Sequence, residues 1–268
     1  MIHLRSLRFK SPPSDADIAF PFSVPAIRSL ESLTFRSGVT FFVGENGSGK
    51  STLLEGIALA AGLPAVGAAS LDRDETLAAQ RSLAKRLRLT WEHRTRRGFF
   101  LRAEDFFGFT KEVARLRAEL QQRLRDIEVE YADRSAYARG LAAGPATGSL
   151  ADMERRYGID LDANSHGQSF LKLFQSRFVP GGLYLLDEPE APLSPQSQLA
   201  LISLLKEMVA HESQFIVATH SPLLLSLPGA TIVSFDQQPP REVPYADLEH
   251  VNLTREFLID PERFLRHL

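Results

Sequence analysis

Apolar residues near the start of the chain alternate with polar ones, and this pattern predicts strands before any helix. Residues 2–9 alternate in this way, which is typical of a half-buried strand. Two short apolar runs, at 31–35 and 39–43, predict two further strands. The second run leads directly into a glycine-rich loop, and the segment after that loop predicts a helix that ends at Gly62.

The middle of the chain combines another alternating segment with a long helical one. Residues 86–92 alternate, and we interpret residues 98–103 as their hairpin partner. From residue 105 onward apolar residues recur at helical spacing, so we interpret residues 105–165 as an inserted helical subdomain. Within it, the glycine- and alanine-rich stretch 140–150 predicts a flexible connection.

Helices and strands alternate in the last part of the chain. A helix is predicted at about 166–178, and the apolar strand 183–187 follows it. A further helix and two more apolar strands come after them. This alternation predicts a single α/β domain over residues 1–268, with a mainly parallel sheet flanked by helices and an antiparallel β portion.

Composition excludes several classes of protein. Of the 268 residues 44% are hydrophobic, enough for a full core, and the formal charge of −2 favours neither nucleic acid nor membrane overall. The absence of cysteine excludes disulfides and thiolate metal sites, and it suits a cytoplasmic location. No apolar run approaches the ~20 residues that a membrane helix requires, so we expect no membrane insertion.

The segment "GENGSGKS", residues 44–51, satisfies the phosphate-loop pattern G-x-x-x-x-G-K-[ST] between a predicted strand and a predicted helix. Glycines let backbone N–H groups turn toward phosphates, and the helix N-terminus adds partial positive charge. We expect the Lys50 side chain to reach the β- and γ-phosphates of a nucleotide and the Ser51 hydroxyl to bind Mg²⁺. The fold class is therefore that of a P-loop NTPase. The predicted nucleotide-binding residues here are Gly44, Asn46, Gly47, Ser48, Gly49, Lys50, Ser51 and Thr52.

A second set of polar residues follows two of the apolar strands. The strand "LYLL" ends in Asp187 and Glu188, and the strand of "VATHSP" ends at His220. Because the carboxyl ends of parallel strands line the ligand crevice, these side chains are expected beside the phosphates. We predict that Asp187 holds Mg²⁺, that Glu188 is the general base, and that His220 contacts the γ-phosphate. Lys50, Glu188 and His220 are thus the predicted catalytic residues.

The segment "NSHGQS" supplies a third motif. Ser165 and Gln168 form a capping box at the start of the predicted helix. A serine hydroxyl and unpaired N–H groups at a helix N-terminus can also bind an anion, so the cap and a phosphate contact are compatible roles.

The chain thus carries four motifs, namely the phosphate loop 44–51, the signature 165–168, the pair Asp187–Glu188 and His220. Together they resemble those of the ABC-type ATPases, in the soluble branch with SMC- and RecF-like proteins. Among these the chain is most similar to small stand-alone "AAA family" ATPases. The resemblance implies a head-to-head dimer with two ATP molecules between the subunits. It also implies that Ser165, Gly167 and Gln168 of one protomer contact the nucleotide held by Lys50 of the other. Glu104 is the candidate for the glutamine that the family usually carries, and Phe20 and Phe22 are candidates for the adenine contact.

A basic segment leaves the role of such an ATPase open. Eight basic residues and one acid lie between Arg81 and Arg102. A hairpin over Arg86–Arg97 could bind the phosphate backbone of nucleic acid, which together with the signature type favours a role in DNA repair or chromosome maintenance. A role in defence stays open. The alternatives are a solvated surface, the ATPase subunit of a membrane transporter, and a regulatory switch with little turnover.

Overall fold

The computed structural model describes residues 1–14, 17–66, 77–157 and 166–266. Its strands are β1 (Leu4–Phe9), β2 (Ser32–Thr34), β3 (Val39–Val43), β4 (Leu87–Trp91), β5 (Gly98–Arg102), β6 (Leu183–Asp187), β7 (Gln214–Ala218), β8 (Thr231–Ser234) and β9 (Arg241–Glu242). Its helices are α1 (Pro25–Arg28), α2 (Lys50–Ala61), α3 (Ala78–Arg86), α4 (Ala103–Glu130), α5 (Ala136–Tyr157), α6 (His166–Arg177), α7 (Pro195–Ala210), α8 (Pro222–Leu225), α9 (Glu249–Ile259) and α10 (Pro261–Leu265).

A six-stranded sheet with the order β5-β6-β7-β3-β8-β9 forms the centre of the fold. Every pair in it is parallel except β8 with β9, so the predicted α/β fold with a mainly parallel sheet is confirmed. All five residues of β3 are buried, as expected for a strand in the middle of a sheet covered on both faces. The carboxyl ends of β3, β6 and β7 lie side by side, which positions the loops that follow them.

The antiparallel portion is a separate three-stranded sheet with the order β2-β1-β4. The predicted hairpin between residues 86–92 and 98–103 is therefore wrong. Strand β4 pairs with β1, whereas β5 pairs in parallel with β6 in the central sheet. The apolar run Phe99–Leu101 is buried throughout and suits a sheet covered on both faces, while β4 exposes alternate residues. At Gly98 (φ 127°) a Cβ would lie 1.8 Å from the Leu183 carbonyl oxygen, so only glycine permits this close pairing.

Apolar side chains form one core on each face of the central sheet. Neighbouring residues of a strand point to opposite faces, so Phe41 belongs to one core and Phe42 to the other. On the Phe41 side, Tyr184 and Phe215 stack with ring centroids 5.1 Å apart beneath α6 and α7. On the Phe42 side, helix α2 and the three-stranded sheet cover the strands. This double cover holds α2, and with it the glycine-rich loop, against the sheet.

Helices α4 and α5 come between β5 and β6 in the chain and pack against each other. The stretch 140–150, expected to be a flexible connection, lies within α5 instead, with Pro145 inside the helix. Ala146 is buried there, and Met153 of the same helix joins the core on the Phe41 side. Burial of this face outweighs the weak helix propensity of the glycines and the proline. The subdomain boundaries 105–165 stay a prediction.

None of the helices in the described ranges is long and apolar enough to cross a membrane.

Candidate functional site

The glycine-rich loop joins β3 to α2 and closes on its own lysine. Its backbone has positive φ at Gly44 (145°), Gly47 (81°) and Gly49 (103°), conformations that glycine adopts at little cost. The buried Lys50 ammonium donates hydrogen bonds to the carbonyl oxygens of Gly44 (2.6 Å) and Glu45 (2.9 Å). Both acceptors belong to the loop, so the ammonium lies inside the concave turn that a phosphate-binding loop requires.

Carboxylates surround this ammonium and partly offset its burial. Desolvation lowers the pKa of Lys50, and Glu188, Asp187, Asp236 and Glu190 act in the opposite direction. The site therefore combines one buried cation with several acids, an arrangement that suits a ligand carrying both phosphate and a divalent cation.

The other residues predicted in the loop take different positions. Asn46 and Gly47 are exposed at the tip of the turn, whereas Ser48 and Thr52 are half-buried. The Ser48 hydroxyl is shielded from solvent and has no hydrogen-bond partner in the part of the chain that the structure describes. A buried donor without a partner is costly, so a bound anion beside Ser48 would supply a missing interaction.

Ser51 and Asp187 connect the loop to the end of β6. The Ser51 hydroxyl donates a 3.0 Å hydrogen bond to Asp187 Oδ1. Burial raises the pKa of the Asp187 carboxyl to about 7; the hydrogen bond from Ser51 opposes this, and the charges of Glu55 and Glu188 add to it. Two oxygen atoms that can act as metal ligands therefore lie within hydrogen-bond distance of each other. One belongs to an acid that a cation would stabilise in its charged form, so the pair fits Mg²⁺.

Glu188 and His220 lie at the ends of adjacent strands. The two strands are joined by a 2.9 Å hydrogen bond from the Glu188 N–H to the Ala218 carbonyl, and His220 Nε2 lies 3.8 Å from Glu188 Oε1. Glu188 has a positive φ of 48°, which is uncommon for a residue with a side chain. Burial and then Lys50 lower the pKa of His220, while Glu188 opposes the shift. His220 Nε2 is shielded from solvent and makes no hydrogen bond within the described ranges, so a ligand oxygen beside it would supply a missing interaction.

The remaining predicted contacts are the signature residues and the aromatic candidates for adenine. Ser165 lies outside the described residues, and the backbone of Gly167 and Gln168 forms the first turn of α6. Of the aromatic candidates for the adenine contact, Phe20 is exposed. Phe22 is buried, and the Arg86 guanidinium covers its ring at 4.3 Å. Its ring is therefore not available for stacking on adenine.

Sequence reasoning missed two acids that hold loops of the site. Asp236 Oδ1 accepts a 2.8 Å hydrogen bond from the Glu45 N–H and so anchors the start of the glycine-rich loop. Glu190 Oε1 accepts bonds from the Thr219 hydroxyl (2.6 Å) and the His220 N–H (2.7 Å). Both follow the carboxyl end of a central strand closely, the same signal that pointed to Asp187 and Glu188.

A cavity of about 240 Å³ opens beside the glycine-rich loop. Helix α1 and the segment that follows β8 form its other walls. Its lining residues are Pro25, Ala26, Glu45, Asn46, Gly47, Ser48, Phe235, Asp236 and Gln238.

Two family models match consecutive parts of the chain. A model described as "AAA domain" matches residues 22–134, which include the glycine-rich loop. A model described as "AAA domain, putative AbiEii toxin, Type IV TA system" matches residues 149–226, which include Asp187, Glu188 and His220. No curated protein matches the chain.

Solved structures similar to the chain include ATP-binding cassettes and an Smc head. The Smc head domain of Pyrococcus furiosus, solved with an extended coiled coil and the C-terminal domain of ScpA, is 13% identical; 96% of this chain and 100% of that chain are covered, with a TM-score of 0.45. A nucleotide-free ATP-binding cassette from an ABC transporter is 15% identical, with 87% of each chain covered and a TM-score of 0.44. Clostridium perfringens cbiO1, part of the ABC transporter complex cbiONQ, is 15% identical, with 100% of each chain covered and a TM-score of 0.42.

The complete phosphate-loop motif lies between a central strand and its helix, and AAA domain models match the chain on both sides of the 135–148 segment. Residues 22–134 and 149–226 thus match AAA-type P-loop ATPase domains.

Proposed function

We propose that this chain binds ATP with Mg²⁺, hydrolyses it between two copies arranged head-to-head, and transmits the opening and closing of the dimer to a partner. The observation that carries the proposal is the 3.0 Å contact between Ser51 and Asp187, with the Glu188–His220 pair at the ends of adjacent strands. Phosphate-binding, cation-binding and proton-accepting groups thereby lie at one edge of the sheet.

In this proposal the glycine-rich loop binds the phosphates. The Lys50 ammonium, which bonds to two loop carbonyls, would exchange them for oxygens of the β- and γ-phosphates. The backbone N–H groups at the start of α2 would add partial positive charge. Asn46, Gly47, Ser48, Gly49 and Thr52 complete the proposed contacts.

Ser51 and Asp187 would hold Mg²⁺, whose charge would neutralise that of the phosphates during phosphoryl transfer. The Glu188 carboxylate, which is half exposed, would accept a proton from the attacking water. The neutral His220 ring, favoured by its lowered pKa, would orient the γ-phosphate through Nε2.

The dimer rests on the resemblance to ABC-type ATPases. Ser165, Gly167 and Gln168 of the second copy would complete the site around the γ-phosphate, so hydrolysis should require two copies. A Ser165→Arg variant should then lose turnover while its monomer still binds ATP. Normal turnover by that variant would contradict the head-to-head arrangement.

A role in defence is the second candidate, because the description of the family model over residues 149–226 names a toxin of a type IV toxin–antitoxin system. A role on DNA has less support than the sequence suggested. The basic residues Arg86 to Arg97 form no hairpin, Arg86 pairs with Asp17, and Arg97 donates to the Pro180 carbonyl. Exposed Arg94 and Arg96 remain as contacts for a phosphate backbone.

The test compares ATP turnover of the wild type, Glu188→Gln and the exposed control Glu207→Ala, with and without duplex DNA, while oligomeric state is followed. We expect Glu188→Gln to lose ~10²-fold or more of turnover and to accumulate as an ATP-bound dimer, because a general base contributes about that much. Wild-type turnover in Glu188→Gln would overturn the proposed role of Glu188.

Turnover stimulated by DNA, with a steep loss at higher salt, would support the role on nucleic acid. Dimers that bind ATP without turnover would indicate a regulatory switch, and co-purification with an integral membrane protein would indicate a transporter subunit.

A further inference from the structure

We propose that Glu190 is a positioning residue that holds His220 in place for hydrolysis and couples it to the loop after β6. The inference rests on the proposed ATPase function and concerns how His220 is held in position to contact the γ-phosphate.

The carboxylate of Glu190 gathers the loop that carries His220. Its Oε1 atom accepts three hydrogen bonds, from the Thr219 hydroxyl (2.6 Å), the His220 N–H (2.7 Å) and the Ser221 N–H (3.2 Å). Ser221 N–H also lies 3.0 Å from the Thr219 hydroxyl oxygen. One oxygen therefore holds the backbone on both sides of the His220 side chain.

The two oxygens of the Glu190 carboxyl differ in their contacts. The second oxygen, Oε2, is shielded from solvent and has no hydrogen-bond partner in the described part of the chain. Desolvation raises the pKa of Glu190, and the bonds from Thr219 and His220 oppose it. All the hydrogen bonds that Glu190 Oε1 accepts come from the loop that carries His220, which suits a positioning role, whereas Glu188 faces the His220 ring.

The same two loops are joined at a second point. The Ser221 hydroxyl donates to Gln198 Oε1 (2.6 Å), and the Gln198 amide donates to the Leu193 carbonyl (3.2 Å). Gln198 lies in the first turns of α7 and Leu193 just before that helix. Residues 219–221 are thus held by the segment 190–198 through two independent sets of bonds.

This coupling has a consequence for hydrolysis across a dimer. The segment that follows Glu188 resembles the loop that crosses the subunit interface in ABC-type ATPases. A displacement of that loop by the second copy would move Glu190, and Glu190 would move His220 with it. The site would then respond to whether a partner is present.

The experiment compares turnover, KM for ATP and nucleotide affinity of Glu190→Ala, Glu190→Gln, His220→Ala and the double variant Glu190→Ala/His220→Ala. Glu207→Ala, an exposed acid of α7, is the matched control. For Glu190→Ala we expect kcat to fall ~10- to 100-fold, the range that small misplacements of a catalytic group produce, with KM within about twofold. Glu190→Gln keeps an acceptor oxygen and should recover most of this loss. The double variant should be no slower than His220→Ala alone, because both changes remove the same contribution.

Three outcomes would overturn the inference: unchanged kcat in Glu190→Ala, losses that multiply in the double variant, or no recovery in Glu190→Gln. The melting temperature of each variant separates a loss of folding from a loss of positioning. Absence of turnover in the wild type would contradict the proposed function instead, so the two failures are distinguishable.

Discussion

The Ser51 hydroxyl donates a 3.0 Å hydrogen bond to Asp187 Oδ1 and joins two motifs that are 136 positions apart in the chain. Ser51 is the second residue of α2, and Asp187 is the last residue of β6. The central sheet brings them together because only β7 separates β6 from β3, which precedes the glycine-rich loop. The proposed Mg²⁺ site lies at this contact.

Ser51→Ala and Asp187→Asn should each weaken the binding of Mg²⁺. We expect the Mg²⁺ concentration for half-maximal turnover to rise ~10-fold or more, because changes at and around metal ligands typically cost that much affinity. Titration of Mg²⁺ at saturating ATP measures the effect. Ser226→Ala, which removes an exposed hydroxyl far along the chain, is the control and should leave the titration unchanged. A Ser51→Ala curve that overlays that of the wild type would contradict the assignment of Ser51.

Lys50→Ala should bind nucleotide poorly. A hydrogen bond to a charged group contributes ~1.5–3 kcal/mol, so the Kd for ATP should rise ~10- to 150-fold. Calorimetric titration measures the change, and Lys206→Ala, an exposed lysine of α7, is the matched control. Equal affinities for the Lys50 and Lys206 variants would mean that the glycine-rich loop does not bind the phosphates.

The Asp17–Arg86 pair should make the stability of the fold depend on pH in the acidic range. Two hydrogen bonds of 2.7 and 2.9 Å join the guanidinium to both carboxylate oxygens, and they hold the pKa of Asp17 well below its usual range. A lowered folded-state pKa contributes stability that is present above the ordinary aspartate pKa of ~3.9 and is lost as pH falls below it. The wild type should therefore melt above Asp17→Asn at pH 7, and this difference should shrink below pH ~4. A difference that stays constant from pH 7 to pH 3 would contradict the prediction.

The buried ion pair between Arg102 and Glu55 should matter more for stability than an exposed one. The side chains lie 2.9 Å apart, each only 11% exposed, and the Gln80 amide also donates to Glu55. Arg102→Met leaves the carboxylate buried without its cation, which typically costs ~3–5 kcal/mol in the free energy of unfolding.

The matched control is Arg115→Met, which removes the exposed pair with Glu119 on α4 and should cost only ~0.3–0.5 kcal/mol. Urea denaturation measures both variants, with the slope of the transition expected to be unchanged. Equal losses in the two variants would show that burial does not govern the strength of the Arg102–Glu55 pair.

Most of what the sequence alone determined about this protein follows from patterns of neighbouring residues. Strand β3, the glycine-rich loop and the start of α2 follow directly from one apolar run and one motif, because backbone conformation there depends on neighbouring residues. The predicted helix 166–178 matches α6 closely, and the strand 183–187 matches β6. Ser165, Asp187, Glu188 and His220 were named from local spacing, and the structure places the last three beside Lys50 while Ser165 lies outside its described residues.

Packing between residues that are far apart in the chain determined the strand partners, the helix α5 and the contacts of Glu190 and Asp236. Alternation could not show that β5 pairs with β6 instead of β4, because partner choice depends on which sheet can cover both faces of Phe99–Leu101. Nor could composition show that residues 140–150 are helical, since packing of α5 overrides weak local propensity. Glu190 and Asp236 escaped notice because their partners lie 29–31 and 191 positions away. Local conformation is encoded in neighbouring residues, whereas these contacts exist only once the central sheet has brought its strand ends together.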